Sequence, residues 1–279
     1  MKTIEKPLAL LQSIEEIKSD MFTTRGSAPV LVHCDDLKHY VCKYGSTQKL
    51  FKEYLAAAFL REWDILAPEY NLVKVQKAHY KPNREHTLRY TYFENLCFGS
   101  LYYDKAQDLN DVFGTLDNIK AEVDKIANID AFLKIALFDL WVANDDRHPT
   151  NYNLLLYPTA TGNYFLPIDH TDIFNTNLYQ PIYSLNYDDT IIKTGYTKVL
   201  YKKNIDDVVR VRDRLIENYY ICVEKCRVAL PNILAEIPVE WGIDSERFSD
   251  WAMGNIFNNN EWHTETITNF REYIELAHR

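Results

Sequence analysis

No stretch of this sequence is both long and free of charge. The longest apolar candidate, Ala127 to Ala143, is interrupted by Asp130, Lys134 and Asp139, so it reads as a buried or amphipathic helix and not as a membrane span. Residues 1–21 have acids inside their apolar stretch and no small-residue cleavage site. That suits an amphipathic helix better than a secretory leader, and the expected location is the cytoplasm. A basic surplus is missing too. The 31 Lys and Arg against 40 Asp and Glu leave a net charge of −9, which argues against a nucleic-acid partner, because neutralising phosphates needs clustered cations. No basic amphipathic helix stands out for a membrane surface. Cys34, Cys42, Cys97, Cys222 and Cys226 are odd in number and irregularly spaced. Cys222 and Cys226 lie one helical turn apart, yet no second pair or nearby histidine completes a metal site. Buried thiols in a reducing compartment are expected instead. His33, His39, His79 and His86 show no metal-ligand spacing either. Internal repeats, low-complexity tracts and Gly/Ser-rich linkers are absent.

What is present changes character along the chain. With 47% apolar and 25% charged residues, 279 residues suffice for one or two substantial cores. From about residue 28 to 95, PVLVHC, HYVCKYG, NLVKVQKAHY and TLRYTYFENL are short, β-branched and aromatic runs with period-two patterning, which predicts strands. One helical stretch, KLFKEYLAAAFLREWDI, interrupts them, with Leu50, Tyr54 and Ala57 or Ala58 on one face. Beyond residue 105 helices dominate: 117–143, 204–230, and two or three shorter ones over 245–277. Between them lies an apolar hairpin, NLLLYPTATGNYFLPIDH, turning at Thr159 to Asn163. A strand-rich lobe followed by a helical lobe is expected, joined near FENLCFGS, and a cleft between two lobes is the usual place for a ligand.

The richest chemistry sits in ALFDLWVANDDRHPTNYNLLLY and in FLPIDHTDIF. A hydrophobic helix ends at Val142-Ala143 and releases a polar loop; a hairpin then delivers Asp169 at a strand end. Two carboxylates and an amide are presented at the ends of neighbouring elements. Phosphoryl transfer needs such parts: one carboxylate to orient the attacking hydroxyl, and an Asn plus a second carboxylate to hold Mg²⁺. Singly, Asp146 reads as a helix-capping acid and Asn151 as a turn residue. Their combination with Asp169 and with a lysine in an upstream strand, Lys43, points to a site.

Asp146-Arg147-His148-Pro149-Thr150-Asn151 resembles the D-x-H-x-x-N catalytic loop of HipA-like kinases, and also the D-R-H-x-x-N loop of phosphatidylinositol kinases. Ile168-Asp169-His170 looks like the metal-binding element of the same superfamily. The resemblance implies that Asp146 is the catalytic base, that Asn151 and Asp169 are metal ligands, and that His148 organises the loop. Asp145 adjoins Asp146, but only Asp146 has Asn151 five residues later; Asp172 follows Asp169, but Asp169 leaves the apolar strand directly. Lys43 resembles the strand lysine that pairs with ATP phosphates, and Glu53 its acidic partner on the following alanine-rich helix. Gly26 and Ser27, within Thr24-Arg25-Gly26-Ser27-Ala28-Pro29, look like the short phosphate-binding loop, where backbone amides approach the phosphates. The stretch AEIPVEWGIDSERFSDWAMGNIF shares the family's I-P-x-x-W turn between helices.

The expected fold is therefore α+β and protein-kinase-like, with residues 1–97 as a strand-rich lobe and 98–279 as a helical lobe. The expected activity is Mg²⁺-dependent transfer of the ATP γ-phosphate to a Ser or Thr of a protein substrate. The resemblance also implies an antitoxin-type partner protein. A lipid or small-molecule kinase and a regulatory pseudokinase are the competing readings; the intact Lys43, Asp146, Asn151 and Asp169 set argues against the last.

Overall fold

The computed structural model describes residues 8–19, 21–22, 28–81, 88–112 and 123–279. Gly26, Ser27 and residues 117–122 of the expected helix lie outside the described residues. The chain forms two compact units that interleave in sequence. The first takes in Met1–Tyr54, Pro68–Tyr103 and Ala235–Ile243; the second takes in Leu55–Ala67, Asp104–Leu234 and Asp244–Arg279.

The first unit is built on a five-stranded sheet. Its strands are β1 (Leu10–Gln12), β2 (Val30–His33), β3 (His39–Lys43), β4 (Tyr70–Lys74) and β5 (Cys97–Leu101), in the order β1-β4-β5-β3-β2. The β1–β4 pair is parallel and the others are antiparallel. Strand periodicity decides what faces the core. In β3, Tyr40 and Cys42 turn into a cluster with Val30, Val32, Val73 and Phe93, whereas His39, Val41 and Lys43 occupy the other face. Gly99, at the centre of the sheet, fits because it has no side chain: a Cβ there would come within 2.6 Å of Val73 Cγ2. The IPVEW turn is folded into the same unit. Trp241 Nε1 donates to the Leu96 carbonyl at 2.9 Å, and Glu240 accepts from the Leu96 amide at 3.3 Å.

Two expectations need correction here. Residues 10–12 form a strand and not part of an amphipathic helix. Leu11 is buried between the exposed Leu10 and Gln12, a period-two pattern that pairing with β4 fixes. The described part of the run TLRYTYF, residues 88–93, is not a strand; Tyr90–Phe93 is a 3-10 turn that buries Phe93 alone.

Helix α1 (Thr47–Glu62) is shared, its residues to Tyr54 belonging to the first unit and the rest to the second. It is buried on more than the single face that its spacing predicts, Lys52 and Glu53 included.

The second unit joins a three-stranded sheet to a helical core. The strands β6 (Gln107–Asp108), β7 (Leu154–Thr159) and β8 (Gly162–Pro167) lie in that order. The helices are α2 (Leu109–Val112), α3 (Asp130–Val142), α4 (Tyr196–Leu200), α5 (Ile205–Ala235), α6 (Ser245–Ala252) and α7 (Asn260–His278). The expected hairpin and the helix over 204–230 are both present; residues 245–277 form α6, a π-helical turn at Met253–Phe257, and α7. Aromatic side chains dominate the core. The Trp63 and Trp141 rings stack with centroids 5.4 Å apart, and Trp262 Nε1 donates to the Trp141 carbonyl at 3.0 Å. From Phe132 to Val142, α3 is buried at every position but Lys134, so the end of this helix is a fixed platform. Among the described residues no helix is long and apolar enough to cross a membrane.

Candidate active site

The polar loop begins where α3 stops. Ala143 closes the helix in the left-handed conformation (φ 47°), its N–H bonded to the Asp139 carbonyl. The Val142 and Ala143 carbonyls accept from the Phe174 and Asn175 amides at 2.7 and 3.1 Å. The segment that follows Asp169 is thereby fastened to the helix from which the loop departs.

Between these anchors Arg147 is fully buried and ties the pieces together. Its guanidinium pairs with Asp139 of α3, donates to the Tyr152 carbonyl at 3.1 Å and to the Ile168 carbonyl at 2.7 Å, and lies 3.0 Å from His170 Nε2. One planar fork thus reads the helix, the loop and the strand end that presents Asp169. Burial pushes the Asp139 carboxyl above its usual range, and the Arg147 guanidinium with the Asn144 amide pulls it back. Asn144 Nδ2 donates to Asp139 Oδ1 at 3.0 Å.

Asp146 and His148 flank this buried arginine and are half-buried. Asn153 Nδ2 donates to Asp146 Oδ2 at 3.0 Å, and Asn151 Nδ2 donates to the Asp146 carbonyl at 3.0 Å. His148 and Asn151 exchange backbone hydrogen bonds, both 3.0 Å, which closes a tight turn; His148 Nδ1 is 3.2 Å from the Thr150 hydroxyl. The Asp146 carboxyl is pushed above its usual range. Burial is the largest cause, and the negative charges of Asp169 and Asp172 add to it, against the hydrogen bonds of Asn153 and Asn151. Asp146 thus feels the charge of two further carboxylates.

Asp169 takes a left-handed conformation (φ 56°), as does Asn153 (φ 45°). For an aspartate this is an uncommon backbone state, held here because Ile168 N–H bonds to the Asn153 carbonyl at 2.9 Å and Ile168 O is gripped by Arg147. Asp172 is engaged at both oxygens by hydroxyls, from Thr171 at 2.6 Å and Thr176 at 3.1 Å.

In the first unit, Lys43 ends β3 on the face away from the core and pairs with Glu53 of α1. The Glu53 carboxylate is almost wholly buried, whereas the Lys43 side chain retains 18% of its exposure.

Residues 14–259 match the family described as HipA-like kinase. The chain belongs to the HipA-like kinase family. Among solved structures it is similar to the Helicobacter pylori proinflammatory kinase CtkA, with a TM-score of 0.41 and 16% identity over 98% of each chain. It is also similar to HipA from the Shewanella oneidensis MR-1 toxin–antitoxin complex with HipB and operator DNA. There the TM-score is 0.40 and the identity 12%, over 82% of this chain and 56% of that one. No curated protein matches.

In this HipA-like kinase the structure gathers Asp146, His148, Asn151 and Asp169 in the second unit and pairs Lys43 with Glu53 in the first. Sequence reasoning passed over Arg147, Asp139, Asn144 and Asn153. A signal for the first two was available: Asp139 is the only charge in LFDLWV, and a carboxylate inside an apolar helix demands a cation.

Proposed function

We propose that this HipA-like kinase transfers the γ-phosphate of ATP to a serine or threonine hydroxyl of another protein. Asp146 orients that hydroxyl and receives its proton, and a carboxyl pushed above its usual range suits a proton acceptor better than an ordinary aspartate does. Asn151 and Asp169 hold Mg²⁺ through hard oxygen atoms, and Lys43, steadied by Glu53, pairs with the ATP phosphates. Gly26 and Ser27 belong to the loop that cradles them. When bound, the metal neutralises charge that builds on the phosphates. The negative charges that Asp169 and Asp172 bring to bear on Asp146 fit a cation, since a positive charge there relieves the repulsion. A functional division into 1–97 and 98–279, an antitoxin-type partner protein and a cytoplasmic location belong to the same reading on family grounds.

The observation that supports this reading best is the presentation of Asp146 and Asp169 from two loops clamped by one buried arginine, with Asp169 in a strained backbone state. A thermal-shift titration tests it. ATP should raise the melting temperature more with Mg²⁺ than without, since a ligand at a hundredfold excess over its Kd stabilises the native state by about 2.7 kcal/mol. No shift with any nucleotide at millimolar concentration sinks the reading.

A further inference from the structure

The β2–β3 hairpin of the first unit brings together residues that are scattered in sequence. His33 and His39 are direct cross-strand partners, and their imidazoles stack with centroids 4.4 Å apart and an angle of 8°. The segment before β2 runs alongside. Ile14 N–H bonds to the His33 carbonyl at 2.9 Å, and Lys18 exchanges backbone bonds with Leu31 at 3.0 and 2.9 Å. Glu15 is thus carried next to the pair, with Oε1 3.3 Å from His33 Nδ1. One ligand atom from each of Glu15, His33 and His39 lies within 4.8 Å of the others.

We infer that Glu15, His33 and His39 form a binding site for a divalent first-row transition ion of the zinc class. Two imidazoles and one carboxylate are a donor set that Zn²⁺ accepts, with water at the fourth position. In a tetrahedron with bonds of about 2.0–2.1 Å, neighbouring ligand atoms stand about 3.3 Å apart. The Glu15–His33 edge already has this length. The remaining edges close by rotation of the imidazoles, because stacked rings aim their in-plane lone pairs alongside each other and not at one point. Such rotation has room: Glu15 is exposed and both histidines are half-buried. Of the side-chain charges that act on His39 from outside the imidazole pair, Lys18 opposes the ion and Glu15 favours it. Cys34, next to His33, does not compete, since its side chain is fully buried in the core cluster of the sheet. A bound ion would clasp the 13–18 segment, β2 and β3 together. The site shares no residue with the proposed phosphotransfer machinery, and magnesium, which prefers oxygen ligands, is not its ion.

The test is calorimetry with zinc chloride on the tag-free, reduced full chain without nucleotide, beside a visible spectrum after Co²⁺ addition. The expected result is one equivalent bound, a raised melting temperature, and cobalt d–d bands without a thiolate charge-transfer band. His33→Gln and His39→Gln should each weaken zinc by at least about tenfold. The exposed Glu15→Gln should weaken it by less, and circular dichroism checks that each variant is folded. No zinc binding at high micromolar concentration, binding unchanged in both histidine variants, or a cobalt–thiolate band overturns the inference. None of these results bears on the Mg·ATP thermal shift, so the two readings fail separately.

Discussion

Two ion pairs, one in each unit, are built to opposite ends. Asp139–Arg147 has an arginine with no exposed side-chain surface and further bonds to two carbonyls and a histidine. Lys43–Glu53 buries its carboxylate but leaves the lysine partly open at a strand end. The difference follows from side-chain chemistry. A guanidinium is always charged and has five donors in a fixed plane, so it suits a permanent junction; an ammonium on a flexible stem can change partners. The first pair is scaffold for the loops that present Asp146 and Asp169. The second is the pair that the proposed function asks to exchange its carboxylate for a phosphate.

The largest expected effect comes from breaking the closed pair. Arg147→Met leaves Asp139 buried without a counter-charge and should cost about 3–5 kcal/mol in urea unfolding. Adding Asp139→Leu should recover much of that, because an apolar pair replaces the ion pair. Arg147→Lys should recover little, since a single ammonium cannot reach all four partners. A loss below about 1 kcal/mol for Arg147→Met would place it with exposed ion pairs and remove the comparison.

Opening the other pair should cost less stability and more activity. Lys43→Met leaves the Glu53 carboxylate in place with one partner removed, a loss of about 1–3 kcal/mol. Glu53→Gln in the same chain should restore part of the stability and none of the phosphotransfer. Stability and turnover that recover together would show that Lys43 acts only through folding.

The contrast also explains what the sequence could disclose. Strands β2 and β3, helix α1, the β7–β8 hairpin and α5 follow from local periodicity, whereas the roles proposed for Asp146, Asn151 and Asp169 come from the resemblance of their motifs to the family. Strand β1 is illegible because three residues gain strand character only from parallel pairing with β4, 62 residues away in sequence. TLRYTYF has the composition of a strand, yet its aromatic side chains fit a turn that buries Phe93 alone. Asp139 in its apolar helix calls for a cation, but which cation answers it is not local information. A charged residue in a polar loop, such as Arg147, reads as solvated, and its burial depends on the non-local meeting of Asp139, Tyr152 and Ile168. The His33–His39 contact likewise exists only once the register of β2 and β3 is set.

A smaller effect concerns Asp146 itself. Its folded pKa is raised, so its contribution to stability is present below the unfolded value near 3.9 and is lost as pH rises through the folded value. Asn resembles the protonated form and keeps that contribution. Asp146→Asn should therefore melt slightly higher than the natural chain at pH 7–8, and the two melting temperatures should converge below about pH 4. A variant that melts lower at neutral pH contradicts the upward push on Asp146 by burial and by the charges of Asp169 and Asp172.

The division of labour proposed for the loop aspartates is tested most directly by measuring turnover and calorimetric ATP affinity, with and without Mg²⁺, for Asp146→Asn, Asp169→Asn and Asp145→Asn. Asp146→Asn should lose phosphotransfer by orders of magnitude while Mg·ATP affinity stays within a few-fold, because the lost interaction belongs to the transition state. Asp169→Asn should weaken ATP binding only in the presence of Mg²⁺, and Asp145→Asn should change little. An inactive Asp145→Asn beside an active Asp146→Asn would shift the catalytic loop by one residue, and full turnover in all three would contradict the account.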